Sequence, residues 1–142
     1  MEISQVRRRV QAAILAARAR TQERREQSDA ATRDYAVFLA TVATPLVQQI
    51  ANALKAEGNS FTVSTPGDGL RLEYDRGRDN FIEFLLDTSG DRPQVIGRVS
   101  QTRGSRRLED ERPIKPDASP AELSEDDVLE FVIQALEPWL VR

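Results

Sequence analysis

The first 57 residues read MEISQVRRRVQAAILAARARTQERREQSDAATRDYAVFLATVATPLVQQIANALKAE. They contain no glycine and a single proline, Pro45. Apolar and small residues recur at every third or fourth position, which is the spacing that gathers side chains on one face of an α-helix. Residues 1–57 therefore predict a long N-terminal helical arm.

The recurring positions form one stripe along the whole arm. Its members are Ile3, Val6, Val10, Ile14, Ala17, Thr21, Arg24, Ser28, Ala31, Tyr35, Phe38, Val42, Leu46, Ile50 and Leu54. The stripe is apolar at both ends but weak between Arg18 and Arg33, so we expect either a solvated middle or a break there. In the second case Ser28 or Asp29 caps a new helix, and the first helix folds back as a hairpin.

An unbroken helix of this length predicts self-association. At 1.5 Å per residue it would span about 85 Å, which is more than a domain of this size needs to cover its own core. A second copy is the simplest partner, since two-fold pairing buries an apolar stripe symmetrically. The predicted oligomer interface consists of Ile3, Val6, Val10, Ile14, Tyr35, Phe38 and Val42.

Pro45 and Gly58 bear on where the helices of the arm begin and end. Pro45 lacks a backbone N–H and its ring clashes with the preceding helical turn, whereas Thr44 and Pro45 together resemble an N-cap and a first helical residue. We therefore predict a kink or a new helix start at Pro45, and a C-cap at Gly58.

After Gly58 the period of the apolar residues changes to two, and clusters rich in glycine and aspartate separate the segments. The predicted strands are 61–65, 70–75, 81–87, 94–102 and, less regularly patterned, 106–111. Residues 81–86 are apolar except for Glu83, which is typical of a central strand. These segments predict an antiparallel meander over residues 60–112.

The end of the chain predicts a linker and a helix. Three prolines in residues 113–123 predict an extended linker over the surface. Ser124 and Asp127 form a capping box, and Leu123 and Val128 a hydrophobic staple, for a C-terminal helix over 124–141. The whole chain is thus predicted to be a single α+β domain with a long N-terminal helix, a four- to five-stranded antiparallel meander and a C-terminal helix packed on the sheet.

The composition argues against most common enzyme classes. The chain has no cysteine and no histidine, so thiol nucleophiles, imidazole bases and the usual zinc sites are absent. It also lacks a P-loop and a G-x-G-x-x-G motif. We expect no enzymatic activity, no cofactor and no metal.

The N-terminal sequence does not match a targeting or membrane segment. The apolar stretch after Arg7, Arg8 and Arg9 is short and is followed at once by Arg18, unlike a signal peptide. No apolar run approaches the ~20 residues of a spanning helix. We expect a cytoplasmic protein without a membrane span.

Charge is distributed unevenly along the chain. Residues 1–33 hold eight arginines and four acidic residues, whereas residues 34–142 hold twelve basic and nineteen acidic residues. The N-terminal part is therefore +4 and the remainder −7. This asymmetry favours an arm that meets an acidic partner, its own body or a second copy.

Arginines also cluster near a predicted hairpin tip, at Arg98, Arg103, Arg106 and Arg107. Guanidinium groups bind phosphate oxygens in pairs, so these residues are possible phosphate contacts. No aromatic residue is interleaved with them for base stacking, and three acidic residues follow at 109–111, which favours intramolecular ion pairs.

Two other sites have simpler structural explanations. The carboxylates Glu73, Asp75, Glu83 and Asp87 could pair for acid–base chemistry or hold a cation, but neighbouring arginines favour cross-strand ion pairs. Tyr74 and Trp139 could line a ligand pocket between sheet and C-terminal helix, but core packing explains them better.

These patterns predict a non-enzymatic interaction module that is homodimeric through the arm and engages a protein partner with its sheet. Two alternatives remain. One is a nucleic-acid-associated protein that uses the arginines of the arm and of the hairpin over 103–107. The other is a small-ligand-binding domain with a pocket beside Tyr74 and Trp139.

Overall fold

The computed structural model describes residues 1–140, and in that part of the chain it has the predicted α+β architecture. Helix α1 (Ile3–Phe38) continues through a short π-helical segment (Leu39–Ala43) into α2 (Thr44–Ala56). The strands are β1 (Phe61–Ser64), β2 (Leu70–Tyr74), β3 (Phe81–Asp87), β4 (Gln94–Arg103) and β5 (Arg106–Pro113), and the last helix is α3 (Glu125–Leu140). The order of elements confirms the prediction.

The π-helical segment is the structural response to Pro45. The backbone N–H of Thr44 donates to the carbonyl of Leu39, five residues earlier. A regular turn would press the proline ring against the carbonyl of Thr41, four residues earlier, whereas a π turn widens the helix locally. The helix therefore passes Pro45 without a new start. The helix ends at Ala56 with Glu57 as its C-cap. Gly58 follows with φ +88°, and the N–H of Asn59 donates to the Leu54 carbonyl at 2.8 Å. The predicted helix stop at Gly58 is thus confirmed, with the glycine one residue beyond the C-cap.

The middle of α1 is unbroken. Residues 28–33 are α-helical, and the Thr32 hydroxyl donates to the Ser28 carbonyl one turn earlier at 2.9 Å. The predicted alternative of a hairpin, in which Ser28 or Asp29 caps a second helix, is wrong. The other alternative, a solvated middle, is confirmed for residues 18–27, whose side chains are all exposed, whereas Ala31 is buried against the body.

The five strands form one antiparallel sheet in sequential order, with β3 at its centre. The registers place Leu72 opposite Ile82 and Ile82 opposite Val99, so these side chains share one face. Helices α2 and α3 pack on that face, and the buried side chains between them and the sheet form the core. Gly97 in β4 has no side chain, and the ring of Phe131 from α3 occupies the space next to it. A Cβ at residue 97 would lie 2.1 Å from Cζ of that ring.

Helix α3 begins with the predicted capping box. The backbone N–H of Ser124 donates to Asp127 Oδ2 at 2.9 Å, and the backbone N–H of Asp127 donates to Ser124 Oγ at 3.3 Å. Both residues of the predicted staple, Leu123 and Val128, are buried. The predicted last residue, 141, lies outside the described residues.

The proline-rich connection is less superficial than predicted. Ala118 and Pro120 are buried, and residues Pro120–Glu122 form a 3₁₀ turn that packs against α1. Alanine and proline side chains can be buried in the core because they carry no polar group that would need a hydrogen-bond partner. The connection therefore ties α1 to the body instead of passing over the surface.

By length and composition alone, the continuous helix Ile3–Ala56 contains one window apolar enough to cross a membrane, and 33% of that window is buried in the protein. Threonine and glutamine residues interrupt the apolar runs of this helix, so no single run is long enough to indicate a spanning segment. In the second half of this helix Phe38, Val47 and Ala51 belong to the core. Core helices of soluble proteins share this composition.

Candidate functional site

The first part of α1 extends away from the rest of the molecule. Every residue from Met1 to Gln27 is exposed, and Ala31 is the first buried residue of the helix. Residues 3–27, called the projecting segment below, form about 37 Å of helix at 1.5 Å per residue. In proteins most helical stability comes from packing of an amphipathic face, but the projecting segment is exposed all round. It is thus a surface that residues 1–140 leave uncovered.

One face of the projecting segment is apolar. Ile3, Val6, Val10 and Ile14 are 82%, 45%, 52% and 45% exposed. They are separated by three, four and four residues, which keeps them on one side of the helix. Exposed apolar side chains are normal when scattered singly, but a contiguous row marks an interaction surface. These four residues are the part of the predicted interface that is available to a partner.

The other three predicted interface residues belong to the chain's own core. Tyr35 and Phe38 are 4% and 3% exposed, and Val42 packs against the core cluster. They continue the same sequence stripe as Ile3, but the body covers the helix from Ala31 onward. Their assignment to a contact between copies is therefore corrected. Sequence periodicity identified the apolar face but not the residue at which the body begins.

Tyr35 joins the helix to the sheet. Its hydroxyl donates to the Phe84 carbonyl at 3.1 Å. Burial, together with the nearby carboxylates of Glu83 and Asp68, raises the pKa of Tyr35 above its ordinary value. The phenol therefore stays protonated as a donor throughout the physiological range.

The arginines of the projecting segment have no acidic partner within the described part of the chain. The ion pairs in residues 1–140 all involve Arg71, Arg98 or Arg107. Glu23, Glu26 and Asp29 alternate with these arginines along the helix, but within residues 1–140 of one copy they form no ion pair with them. Arg7, Arg8 and Arg9 also lie near the helix N-terminus, where the helix dipole disfavours positive charge. Within residues 1–140 these arginines form no ion pair.

A cleft of about 720 Å³ opens beside the π-helical segment. One wall is the helix from Thr32 to Thr44, and the other is formed by the β1–β2 turn and the end of β3. Its lining includes the apolar side chains of Tyr35, Leu39, Leu85 and Leu86. This cleft was not predicted from the sequence. Pro45 was the available signal, because π-helical turns often lie at functional sites.

The sheet face opposite the helices carries a row of alternating charges. Arg71, Glu83, Arg98 and Glu111 lie directly opposite one another on β2, β3, β4 and β5. Arg71 Nη2 is 2.5 Å and Arg98 Nη1 4.0 Å from the Glu83 carboxylate, and Arg98 Nε is 2.9 Å from Glu111. The predicted cross-strand pairs are therefore present at Glu83, which is only 5% exposed.

The four candidate phosphate-binding arginines divide into two groups. Arg98 pairs with Glu111, and Arg107 Nη2 with Glu109 at 2.7 Å. Arg103 and Arg106 are opposite each other at the β4–β5 tip and are exposed, with no ion pair in the described residues. The tip thus keeps two of the four available to an anion.

Two of the remaining acidic candidates, Asp75 and Asp87, accept hydrogen bonds from nearby hydroxyl groups. Asp75 accepts hydrogen bonds from the hydroxyls of Ser60 (2.5 Å) and Thr62 (2.6 Å), which hold its pKa below the ordinary value. Asp87 accepts from the hydroxyl and the N–H of Ser89, which lower its pKa in the same way. No group of three or more acidic side chains within residues 1–140 is arranged to hold a metal ion.

Tyr74 and Trp139 pack against Phe61 as an aromatic cluster. The ring centroids of Phe61 and Tyr74 are 5.0 Å apart, and that of Trp139 is 6.2 Å from Phe61 and 6.4 Å from Tyr74. The indole N–H of Trp139 donates to Asn80 Oδ1 at 3.1 Å. The rings occupy the space between sheet and C-terminal helix, and their contacts are those of a core.

No protein-family model, curated protein or solved structure matches this chain. The function must therefore be inferred from its own surfaces.

Proposed function

We propose that this chain is a non-enzymatic interaction module that forms a homodimer through the projecting segment. The proposal is supported above all by one observation: a helix of about 25 residues extends from the body with an apolar face and no covering element. Pairing two such helices removes both apolar faces from water and stabilises each helix against fraying.

The rest of the chain supports a role in binding. The sheet face opposite α2 and α3 carries the row of charges formed by Arg71, Glu83, Arg98 and Glu111. Strand β5 is an exposed edge strand, with seven of its eight residues exposed. Charged residues at Arg106–Pro113 protect that edge against indiscriminate strand pairing. The dimer would thus present two copies of the same sheet face to a protein partner.

The dimer is tested by measuring the mass of the full chain in solution. Light scattering coupled to gel filtration should give twice the 15.9 kDa chain mass. Val10→Glu should shift the mass toward one chain, because it places a charge on the apolar face. Ala12→Glu is the matched control, since residue 12 is exposed and lies on the opposite side of the helix from Val10 and Ile3.

Both variants add one glutamate to the same helix, and glutamate is a better helix former than valine. A loss of dimer in Val10→Glu alone therefore reports the apolar face and not helix propensity. An unmodified protein that has the mass of one chain at concentrations of about 100 μM would overturn the proposal, because dimers of biological relevance are usually tighter.

A second candidate function is nucleic-acid binding, which the exposed Arg103 and Arg106 favour together with the unpaired arginines of the projecting segment. Phosphate contacts make such binding steeply dependent on salt. A gel shift with duplex DNA or RNA at low ionic strength should then weaken on addition of salt and in Arg106→Glu. Absence of any shift at low salt would exclude this candidate.

A further inference from the structure

We propose that the cleft beside the π-helical segment receives the N-terminal tip of a second copy, so that the two projecting segments lie antiparallel. The tip consists of Met1, Ile3 and Val6. This inference rests on the proposed dimer and specifies its orientation and its second contact surface.

The apolar face of the projecting segment leads along the helix into the cleft. Ile3, Val10, Ile14 and Thr21 are followed by Thr32 and Leu39, which line the cleft. Their separations of seven, four, seven, eleven and seven residues are each within about 40° of a whole number of helical turns. A partner helix that follows the apolar face therefore arrives at the cleft without crossing to another side of α1.

The apolar side chains of the tip are exposed to water, and the cleft offers an apolar surface on which they can be buried. Met1 and Ile3 are 90% and 82% exposed, the highest values among the large apolar side chains of the described residues. The cleft has apolar lining from both the helix and the sheet. Consider an antiparallel pair whose two-fold axis passes near Ala19. Residue n of one copy then lies level with about residue 38 − n of the second copy. Ile3 is then level with Tyr35 and Ala36 of the second copy.

The charges favour this arrangement over a parallel one. Arg7, Arg18 and Arg25 lie beside the apolar face, at spacings of eleven and seven residues. In a parallel pair each of them meets its own counterpart at the same level, and like charges at such flanking positions repel. In the antiparallel pair, Arg7 lies within one turn of Asp29 of the second copy, and Arg25 is level with uncharged residues. Of these three, only Arg18, near the two-fold axis, stays close to its counterpart.

A shorter antiparallel overlap is less favourable. If residues 3–14 paired only with residues 14–3 of the second copy, the two Arg7 side chains would lie within one helical turn of each other. The cleft would also stay open, and the tip would not reach the body of the partner. The long overlap separates the two Arg7 side chains and brings the tip to the cleft, and its close arginines are confined to Arg18 and Arg20 near the two-fold axis. It covers the weak middle of the stripe as well.

Disulfide cross-linking tests the orientation directly, because the chain has no cysteine of its own. The variant Ile3→Cys/Ala36→Cys carries two thiols at exposed positions of one helix. Within one chain they are separated by about 50 Å of helix, far beyond the reach of a disulfide. A covalent bond between them must therefore join two copies.

The antiparallel dimer predicts that Ile3→Cys/Ala36→Cys forms covalent dimers under a glutathione redox buffer, whereas Ile3→Cys alone does not. The control Ile3→Cys/Ala53→Cys measures random collision, since Ala53 is exposed on α2 about 25 Å further along the helix. At micromolar protein, the paired positions should react about 100-fold faster than this control, because their effective concentration in the dimer is millimolar.

The outcomes separate this inference from the proposed function. Covalent dimers of Ile3→Cys alone would establish a parallel pair and overturn the inference while supporting the dimer. A twofold mass by light scattering, without preferential cross-linking of the Ile3→Cys/Ala36→Cys variant, would overturn the inference as well. A single-chain mass would overturn both. Fast cross-linking of the double variant alone would support both.

Discussion

Gly97 on β4 gives the sharpest test of the fold, because its lack of a side chain decides how α3 sits on the sheet. A Cβ at residue 97 would lie 2.1 Å from Cζ and 2.4 Å from Cε1 of Phe131. Phe131 is 5% exposed, and its ring is edge-on to that of Phe84 at a centroid distance of 6.0 Å. The guanidinium of Arg112 lies 5.1 Å from the same ring. We therefore expect Gly97→Ala to displace Phe131 and loosen α3.

The size of the effect follows from the overlap. To reach an ordinary contact distance of 3.4 Å, the ring must retreat by about 1.3 Å, and its neighbours leave little room for that movement in a close-packed core. Overpacking of this kind typically costs 1–3 kcal/mol. We expect Gly97→Ala to lower the free energy of unfolding by about 3 kcal/mol, at the upper end of that range, and the melting temperature by about 10 °C.

Urea denaturation measures this change with two independent signals. Far-UV circular dichroism reports the helices, and the fluorescence of Trp139, the single tryptophan, reports the packing of α3. The matched control is Gly90→Ala, since a Cβ at residue 90 meets nothing within 4 Å. That substitution should leave stability unchanged or raise it slightly, because alanine restricts the unfolded chain.

A second substitution identifies the clash as the cause. Phe131→Leu removes the ring atoms nearest the added Cβ. The double variant should therefore lose less free energy of unfolding than the sum of the two single variants, by at least about 1 kcal/mol. If Gly97→Ala unfolds within about 0.5 kcal/mol of the unmodified protein, which is the usual range for surface substitutions, the packing argument for α3 is refuted. Strict additivity in the double variant would refute it equally.

Three further predictions concern single hydrogen bonds. Tyr35→Phe removes the donor to the buried Phe84 carbonyl and should lower the free energy of unfolding by about 1–3 kcal/mol in urea denaturation; an unchanged midpoint would show that water replaces the phenol. Ser124→Ala removes the side-chain cap of α3 and should cost about 1 kcal/mol by the same measurement, whereas Ser105→Ala at the exposed β4–β5 tip should cost nothing measurable. The backbone N–H of Ser124 holds the pKa of Asp127 below its ordinary value, so this contribution to stability is present above the unfolded pKa of about 4 and is lost as pH falls through the folded pKa. Asp127→Asn should therefore lose less stability than the unmodified protein between about pH 5 and about pH 2. Identical pH profiles for the two proteins would contradict this role of Asp127.

The local elements of the fold could be predicted from short sequence signals. The capping box at Ser124, the helix stop at Gly58 and the alternation of residues 70–72 in β2 each act within a few residues, and each was confirmed. The cross-strand partners of Glu83 were also foreseen, because a buried acid in a central strand needs cationic neighbours.

The candidate site was predicted only in part. The apolar face from Ile3 to Ile14 could be identified from spacing, but the same spacing wrongly included Tyr35 and Phe38. Spacing shows which side of a helix is apolar. An apolar side is needed both for packing in the chain's own core and for an interface with another copy, so spacing does not distinguish the two. The cleft could not be predicted, since its walls come from the helix and from the β1–β2 turn, about thirty residues apart in the sequence.

The sequence by itself determined the order of elements, the helix limits and the amphipathic faces, because these depend on backbone preferences and on periodicity over a few turns. The tertiary structure decided that the helix continues past residues 28–33 and where the body stops covering α1. Those two outcomes depend on contacts between residues distant in the chain: the 3₁₀ turn at Pro120 against α1, and the Tyr35 bond to β3. Long-range packing thus selected among structures that local preferences left equally open.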